Sequence, residues 1–106
     1  MRTISLKDLY EKSQNLEEGE VILDVRRPEE FSEGHIKGGI NISHDNVASQ
    51  VDRLREYKNI YIHCKMGGRA KMAYNMLEGY GITNLRVCVE AGFNAWVERG
   101  YPVEKD

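Results

Sequence analysis

The sequence predicts an α/β/α sandwich built on an open, mostly parallel five-stranded sheet, and three observations point to it. Short runs rich in β-branched residues alternate with stretches of helical apolar spacing, the order expected of parallel strands joined by helical crossovers. The strand candidates are continuous apolar runs, such as VILDV at 21–25, which suits strands covered on both faces. No repeat, low-complexity tract or linker breaks the alternation, and 106 residues with 41% hydrophobic content suit one domain, 1–106, around one core.

The elements follow in order. Ser5 with Asp8 resembles a capping box, and Leu6, Leu9 and Tyr10 recur at helical spacing, so a short helix starts near residue 5. VILDV is the first strand, bounded by Gly19 and Pro28. Pro28 suits the first turn of a short helix, PEEF, that Gly34 ends. GGINI at 38–42 is a weaker strand. Val47, Val51, Leu54 and Tyr57 share one helical face and leave Arg53, Arg55 and Glu56 for solvent. NIYIHC at 59–64 is the next strand. Ala70, Ala73, Tyr74 and Leu77 then repeat at i, i+3, i+4 and i+7 before Gly79 and Gly81 stop the helix. LRVCV at 85–89 is another strand, and Phe93, Trp96 and Val97 make a last amphipathic helix that Gly100 and Pro102 end.

Composition excludes several function classes. Charged residues make up 30% of the chain but nearly cancel, to a formal charge of -2, so there is no electrostatic footprint for nucleic acid. The segment MRTISLKDLY breaks its apolar residues with Lys7 and Asp8, unlike a signal peptide, and the chain reads as cytoplasmic. No apolar run approaches the ~20 residues that cross a bilayer, so no membrane association is expected. Cys64 and Cys88 are too few for a disulfide framework and have no metal-ligand spacing with the histidines, so each needs its own explanation.

In open parallel sheets the ligand lies beyond the carboxyl ends of the strands, where a loop enters the start of a helix. HCKMGGR at 63–69 occupies that place. Inward-facing loop amides and the positive end of the following helix favour a thiolate, persulfide or oxyanion there, and the thiolate is the nucleophilic form of a cysteine. Lys65 and Arg69 add positive charge, Met66 and Lys65 flank the mouth, and Gly67 and Gly68 lack Cβ atoms, permitting left-handed dihedrals and a close approach of amides.

With these residues in place, the chain resembles the single-domain rhodaneses, a sulfurtransferase family, over nearly its whole length. DVR at 24–26, EF at 30–31, GHIKGGINI at 34–42, CKMGGRA at 64–70 and AGFNAW at 91–96 occur in the family's order. The resemblance implies a parallel sheet flanked by helices, Cys64 as catalytic nucleophile, and a loop of amides, Lys65 to Arg69, that holds transferred sulfur as a persulfide. It implies a small-molecule sulfur donor, thiosulfate or a persulfide, and a thiol, a protein cysteine or cyanide as acceptor, with ping-pong kinetics and no cofactor or metal required.

Phosphatases and arsenate reductases carry a similar signature with five residues between cysteine and arginine. Here Lys65 to Gly68 makes four, a smaller ring that suits one sulfur atom better than a tetrahedral oxyanion. His63 points the other way, because a histidine before the cysteine belongs to the phosphatase signature; its bland reading is a strand-end residue satisfied by backbone groups. Three function classes therefore stand: sulfurtransferase, cysteine-dependent phosphatase or arsenate reductase, and non-catalytic rhodanese-like binding module, the last opposed by the intact cysteine. Arg69 either binds an anionic donor or anchors the loop to an internal carboxylate. Asp24 is a candidate acceptor for loop groups, Arg26 and Glu30 are expected to pair and hold the PEEF helix, and His35 is architectural. Cys88 inside VCV reads as a small buried hydrophobe, with a disulfide to Cys64 as the lesser alternative, and Trp96 as core. Ala91 stands where the family often has a glycine.

Overall fold

Ser5 Oγ accepts a hydrogen bond from the Asp8 amide at 3.1 Å, and helix α1, Leu6–Gln14, starts from that cap. The computed structural model describes residues 1–105. After α1 come β1 (Glu20–Asp24), α2 (Pro28–Glu33), β2 (Gly39–Asn41), a 3-10 turn (Val47–Gln50), α3 (Val51–Leu54), β3 (Asn59–His63), α4 (Gly68–Gly79), β4 (Leu85–Val87) and α5 (Phe93–Glu98). Among the described residues no helix is long and apolar enough to cross a membrane.

Among the described residues the sheet has four strands, not five, in the order β2-β1-β3-β4, and every pairing of these strands is parallel. Beyond β4 the chain adds a single parallel bridge between Thr3 and Val87 and no further strand among the described residues. The bridge is closed by the Ile4 amide on the Val87 carbonyl and the Val87 amide on the Arg2 carbonyl, both at 3.0 Å. The Ser5 cap turns the chain into α1 two residues past Thr3, so too little extended chain remains to lengthen the pairing.

Side-chain alternation splits the core into two layers. Val21, Leu23, Ile60 and Ile62 face α3 and α4, packing with Leu54, Ala73, Tyr74 and Leu77. Ile22 and Tyr61 point the other way, toward Leu6 and Leu9 of α1, Ile36 and Trp96 of α5. All five residues of β1 are buried, as the continuous run VILDV requires of a central strand. The sandwich expected from the alternation is thus present, with one strand fewer.

Two other expectations shift. The single amphipathic face from Val47 to Tyr57 is split between the 3-10 turn and one turn of α3, with Tyr57 beyond the helix. On α5, Trp96 is 1% exposed but Val97 is 51% exposed, so Trp96 carries the packing of that helix.

Glu20, at the start of β1, is a buried carboxylate at the amino-terminal ends of the strands, opposite the end that carries Cys64. It accepts hydrogen bonds from the Tyr61 hydroxyl (2.7 Å), the Asn59 amide group (3.0 Å), the Glu17 backbone (3.0 Å) and Lys12 Nζ (3.1 Å). Burial pushes its pKa up, but these donors, Tyr61 foremost, outweigh that and bring it to about 2. The folded-state value lies below the ordinary 4.5, so this group stabilises the fold above that pH, and the contribution is lost as pH falls from 4.5 toward about 2. Glu20→Gln is expected to lower the melting temperature at pH 7 and to flatten the fall in stability across that acid window, measured by thermal melts at several pH values.

Candidate active site

β1 lies at the centre of the sheet, with β2 on one side and β3 on the other, so the chain order reverses beside it, and a crevice opens there beyond the carboxyl ends of the strands. In the register of β1 against β3, Asp24 is opposite His63, and Cys64 is the first residue past β3.

Around Cys64 the loop is turned inward. Its Sγ accepts the Gly67 amide at 3.0 Å and the Ala70 amide at 3.3 Å. Ala70 belongs to the first turn of α4, whose leading amides have no partners within the helix. That rule was the available signal for Ala70, which the reading of the loop as Lys65 to Arg69 left out. From behind, the start of α5 takes up the loop's carbonyls: the Phe93 amide donates to Cys64 O at 2.8 Å and the Asn94 amide to Lys65 O at 3.3 Å. With those carbonyls facing away, the amides face the sulfur, an arrangement that favours negative charge on it.

Two glycines make this closeness possible. Gly67 has φ +116°, and a Cβ there would lie 2.2 Å from the Val89 carbonyl oxygen. A Cβ on Gly92 would lie 2.3 Å from Cys64 O and 2.6 Å from Lys65 O. Gly68 differs from expectation: it is the first residue of α4, has no positive φ, and a Cβ there would meet nothing within 4 Å. Ala91 also keeps a negative φ, so the family's first glycine is dispensable at that position.

Cys64 is 1% exposed, while Lys65 and Met66 stand out in solvent, Met66 at 71%. Lys65 borders three cavities at this edge of the sheet, of about 440, 440 and 240 Å³, and Cys64 borders none of the three. The sulfur therefore lies beneath the mouth, roofed by its own loop.

The charged residues pair differently from the expectation. Arg26 does not meet Glu30. Its guanidinium grips Asp24 at 2.7 to 3.1 Å, donates to the Gly34 carbonyl at 2.8 Å and stacks 4.1 Å from the Phe93 ring centroid. Extended backbone explains the exchange, since Asp24 and Arg26, two apart, project to the same side. Glu30 instead binds Arg69 through both terminal nitrogens, at 2.6 and 3.0 Å, and accepts the Arg27 amide at 3.0 Å. Hydrogen bonding from Arg69 is the chief cause that brings its pKa down to about 2. Of the two roles open to Arg69, the structure displays the anchored one, although the partner carboxylate is 28% exposed and not internal.

His63 is 1% exposed, and among the described residues neither ring nitrogen has a partner in full hydrogen-bond geometry; Nε2 lies 3.7 Å from Asp24 Oδ2. The expectation of a histidine satisfied by backbone groups is met only weakly: the Cys64 backbone acts on the ring, but without the geometry of a full hydrogen bond. Strand alternation aims the ring at the face opposite Cys64, into a neighbourhood already saturated by the Asp24–Arg26 pair. Burial pushes its pKa down, Asp24 pulls it up, Arg26 pushes it down again and the Cys64 backbone pulls it up, leaving it below the ordinary 6.5. His35 is architectural: Nδ1 lies 2.8 Å from the Phe31 carbonyl, and its ring stacks on Phe31. Cys88 is buried, donates to the Ala91 carbonyl at 3.3 Å, and has its thiol pKa pushed up by burial. Among the described residues no group of His, Cys, Asp and Glu side chains is placed to hold a metal ion.

Comparison with known proteins agrees with this geometry. The model of the rhodanese-like domain matches residues 6–99. The chain is 35% identical over 98 residues to thiosulfate sulfurtransferase 16, chloroplastic, of Arabidopsis thaliana, covering 81% of each chain. It is 30% identical over 95 residues to the thiosulfate sulfurtransferase GlpE of Pseudomonas syringae, covering 89% of this chain and 88% of that one. The crystal structure of a rhodanese-related protein from Thermoplasma volcanium superposes with a TM-score of 0.83 at 32% identity, over the full length of both chains. An inward-turned cysteine loop at the switch point of a parallel sheet, together with these matches, places the chain in the rhodanese-like domain family.

Gly67→Ala is expected to cost roughly 3 kcal/mol or more in urea unfolding, because strain and a backbone collision coincide. Gly68→Ala should stabilise by about 0.4–1 kcal/mol, since its backbone is already helical and the space is open. A folded-state pKa below 6.5 means that His63 costs stability as pH falls below that value and costs none above it. His63→Phe should therefore hold or raise the melting temperature at pH 7 and raise it further near pH 5, as two polar atoms without full hydrogen bonds leave the interior.

Proposed function

We propose that the chain is a sulfurtransferase that carries sulfane sulfur on Cys64 from thiosulfate or a persulfide donor to a thiol, a protein cysteine or cyanide. The observation that carries this reading is the pair of main-chain amides, from Gly67 and Ala70, on the sulfur of a loop with four residues between Cys64 and Arg69. Loading is a displacement at sulfur. The Cys64 thiolate attacks the outer sulfur of the donor, a new S–S bond forms, the donor's S–S bond breaks, and its electron pair leaves with sulfite or with the donor thiolate. In the second half an acceptor thiolate attacks the terminal sulfur, and the electron pair of the breaking bond returns to Cys64. The amides carry the negative charge at both stages, and their orientation is set before the reaction begins.

The position of Arg69 also supports sulfur over phosphate. Its two terminal nitrogens are taken up by Glu30, whereas an arginine serving a phosphoryl group would present them to the equatorial oxygens. Burial of Cys64 beneath its mouth adds a kinetic feature: loading requires the loop or its neighbours to yield before a donor reaches the thiol. A protein in this role would be a single domain, 1–106, acting in the cytoplasm.

Intact-protein mass after treatment with thiosulfate tests the reading. The expected result is a gain of one sulfur atom that maps to Cys64, reverses with reductant and yields thiocyanate on cyanolysis, with both signals lost in Cys64→Ser. Hydrolysis of a phosphate ester by the native chain without sulfur loading would overturn it in favour of a phosphatase. Neither activity would leave a binding module.

A further inference from the structure

The mouth above Cys64 holds an unusual pairing for a site that meets anions: its one loop arginine is already neutralised. Resting on the sulfurtransferase reading, we propose that Glu30 is a charge filter. By holding Arg69, it makes the mouth take sulfane-sulfur donors of single negative charge in preference to dianionic ones.

Four observations support this. Both terminal nitrogens of Arg69 are occupied by Glu30, at 2.6 and 3.0 Å, so the groups that would otherwise grip a dianion are not on offer. Arg69 stands one residue before Ala70, whose amide meets the sulfur, and its guanidinium is near enough to feel charge on Cys64. Glu30 is held from behind by the Arg27 amide at 3.0 Å, so the carboxylate is fixed in the wall. Finally, Glu30 and Arg69 border one cavity of about 440 Å³ with Arg27, Glu29, His44 and Lys65, and, His44 apart, its three cations against two carboxylates leave one net positive charge. Lys65, which among the described residues forms no ion pair, supplies that charge at the solvent side. A donor with one negative charge matches it. A dianion either sits against the Glu30 carboxylate or displaces it from Arg69.

Thiosulfate and methanethiosulfonate test this, because they transfer the same sulfur and differ by one charge. With thiosulfate the Cys64 thiolate takes the outer sulfur and sulfite leaves with the electron pair; with methanethiosulfonate the leaving group is methanesulfinate. The readout is the ratio of kcat/KM for thiosulfate over methanethiosulfonate, each divided by the donor's rate with free cysteine thiolate, with loading followed by mass. The native protein should give a ratio below about one fifth. Glu30→Gln should raise it about five- to tenfold, the effect of one charge several ångströms away at a protein surface. Glu29→Gln, the same charge change in the same cavity but at a residue not bound to Arg69, should move it less than twofold. Arg69→Gln, which leaves Glu30 unmatched, should lower it about fivefold. A native ratio at or above unity overturns the filter, whether or not any variant folds. So does a Glu30→Gln ratio within twofold of the native one, or a Glu29→Gln effect as large as that of Glu30→Gln. A uniform loss for both donors in Glu30→Gln would mean that the pair only anchors the loop, and it too would overturn the proposal. Failure of both donors to load Cys64 in the native protein would instead sink the sulfurtransferase reading itself.

Discussion

The candidate site depends on the close approach of two backbone segments. The loop after β3 and the segment leading into α5 meet so tightly that no side chain fits between them, and the Phe93 and Asn94 amides take the carbonyls of Cys64 and Lys65. Peptide groups are rigid planes, so committing a carbonyl to one side helps to fix where neighbouring amides point. Inward-facing donors on the Cys64 sulfur are therefore a consequence of how α5 docks, as well as of the loop's own sequence. Gly67 and Gly92 are the two places where a side chain would hold the segments apart.

A second set of interactions ties the elements around that contact. Arg26 joins the end of β1 to α2 through Asp24 and the Gly34 carbonyl, and reaches the start of α5 by covering the Phe93 ring. Glu30, on α2, holds Arg69 in the first turn of α4. Neither pair is strong evidence for stability, since a buried ion pair repays a desolvation cost and an exposed one is screened. What both do is limit the positions of α2, α4 and α5 relative to each other, which is what a preorganised loop requires. Among the described residues, His63 sits in this frame without a full hydrogen bond for either nitrogen, between a carboxylate already satisfied by Arg26 and the apolar side of the sheet.

Much of this is legible in the sequence. The continuous run at β1, the helical spacing of Ala70, Ala73, Tyr74 and Leu77, the Ser5 cap and the Pro28 start all report local physics that acts within a few residues, and all appear in the structure. The position of Cys64 between a strand's carboxyl end and the start of a helix follows from the alternation of elements, whereas the strand order that makes it a switch point is a tertiary fact. The misses are of one kind. Past β4 the sheet ends in one Thr3–Val87 bridge because the Ser5 cap takes the chain into α1, and Arg26 and Glu30, four apart on paper, found partners two residues and thirty-nine residues away.

By itself, the sequence determined the alternation of strands and helices, the burial of each face and the cysteine that begins the glycine-rich loop, because periodicity and capping are encoded by neighbours along the chain. Tertiary structure decided which carboxylate holds Arg69, that only Gly67 of the two loop glycines is sterically required, that the Ala70 amide joins the sulfur's donors, and how deeply the thiol lies. Each of those depends on a distance between segments far apart in the chain, and such a distance exists only once the sheet has brought its strand ends together.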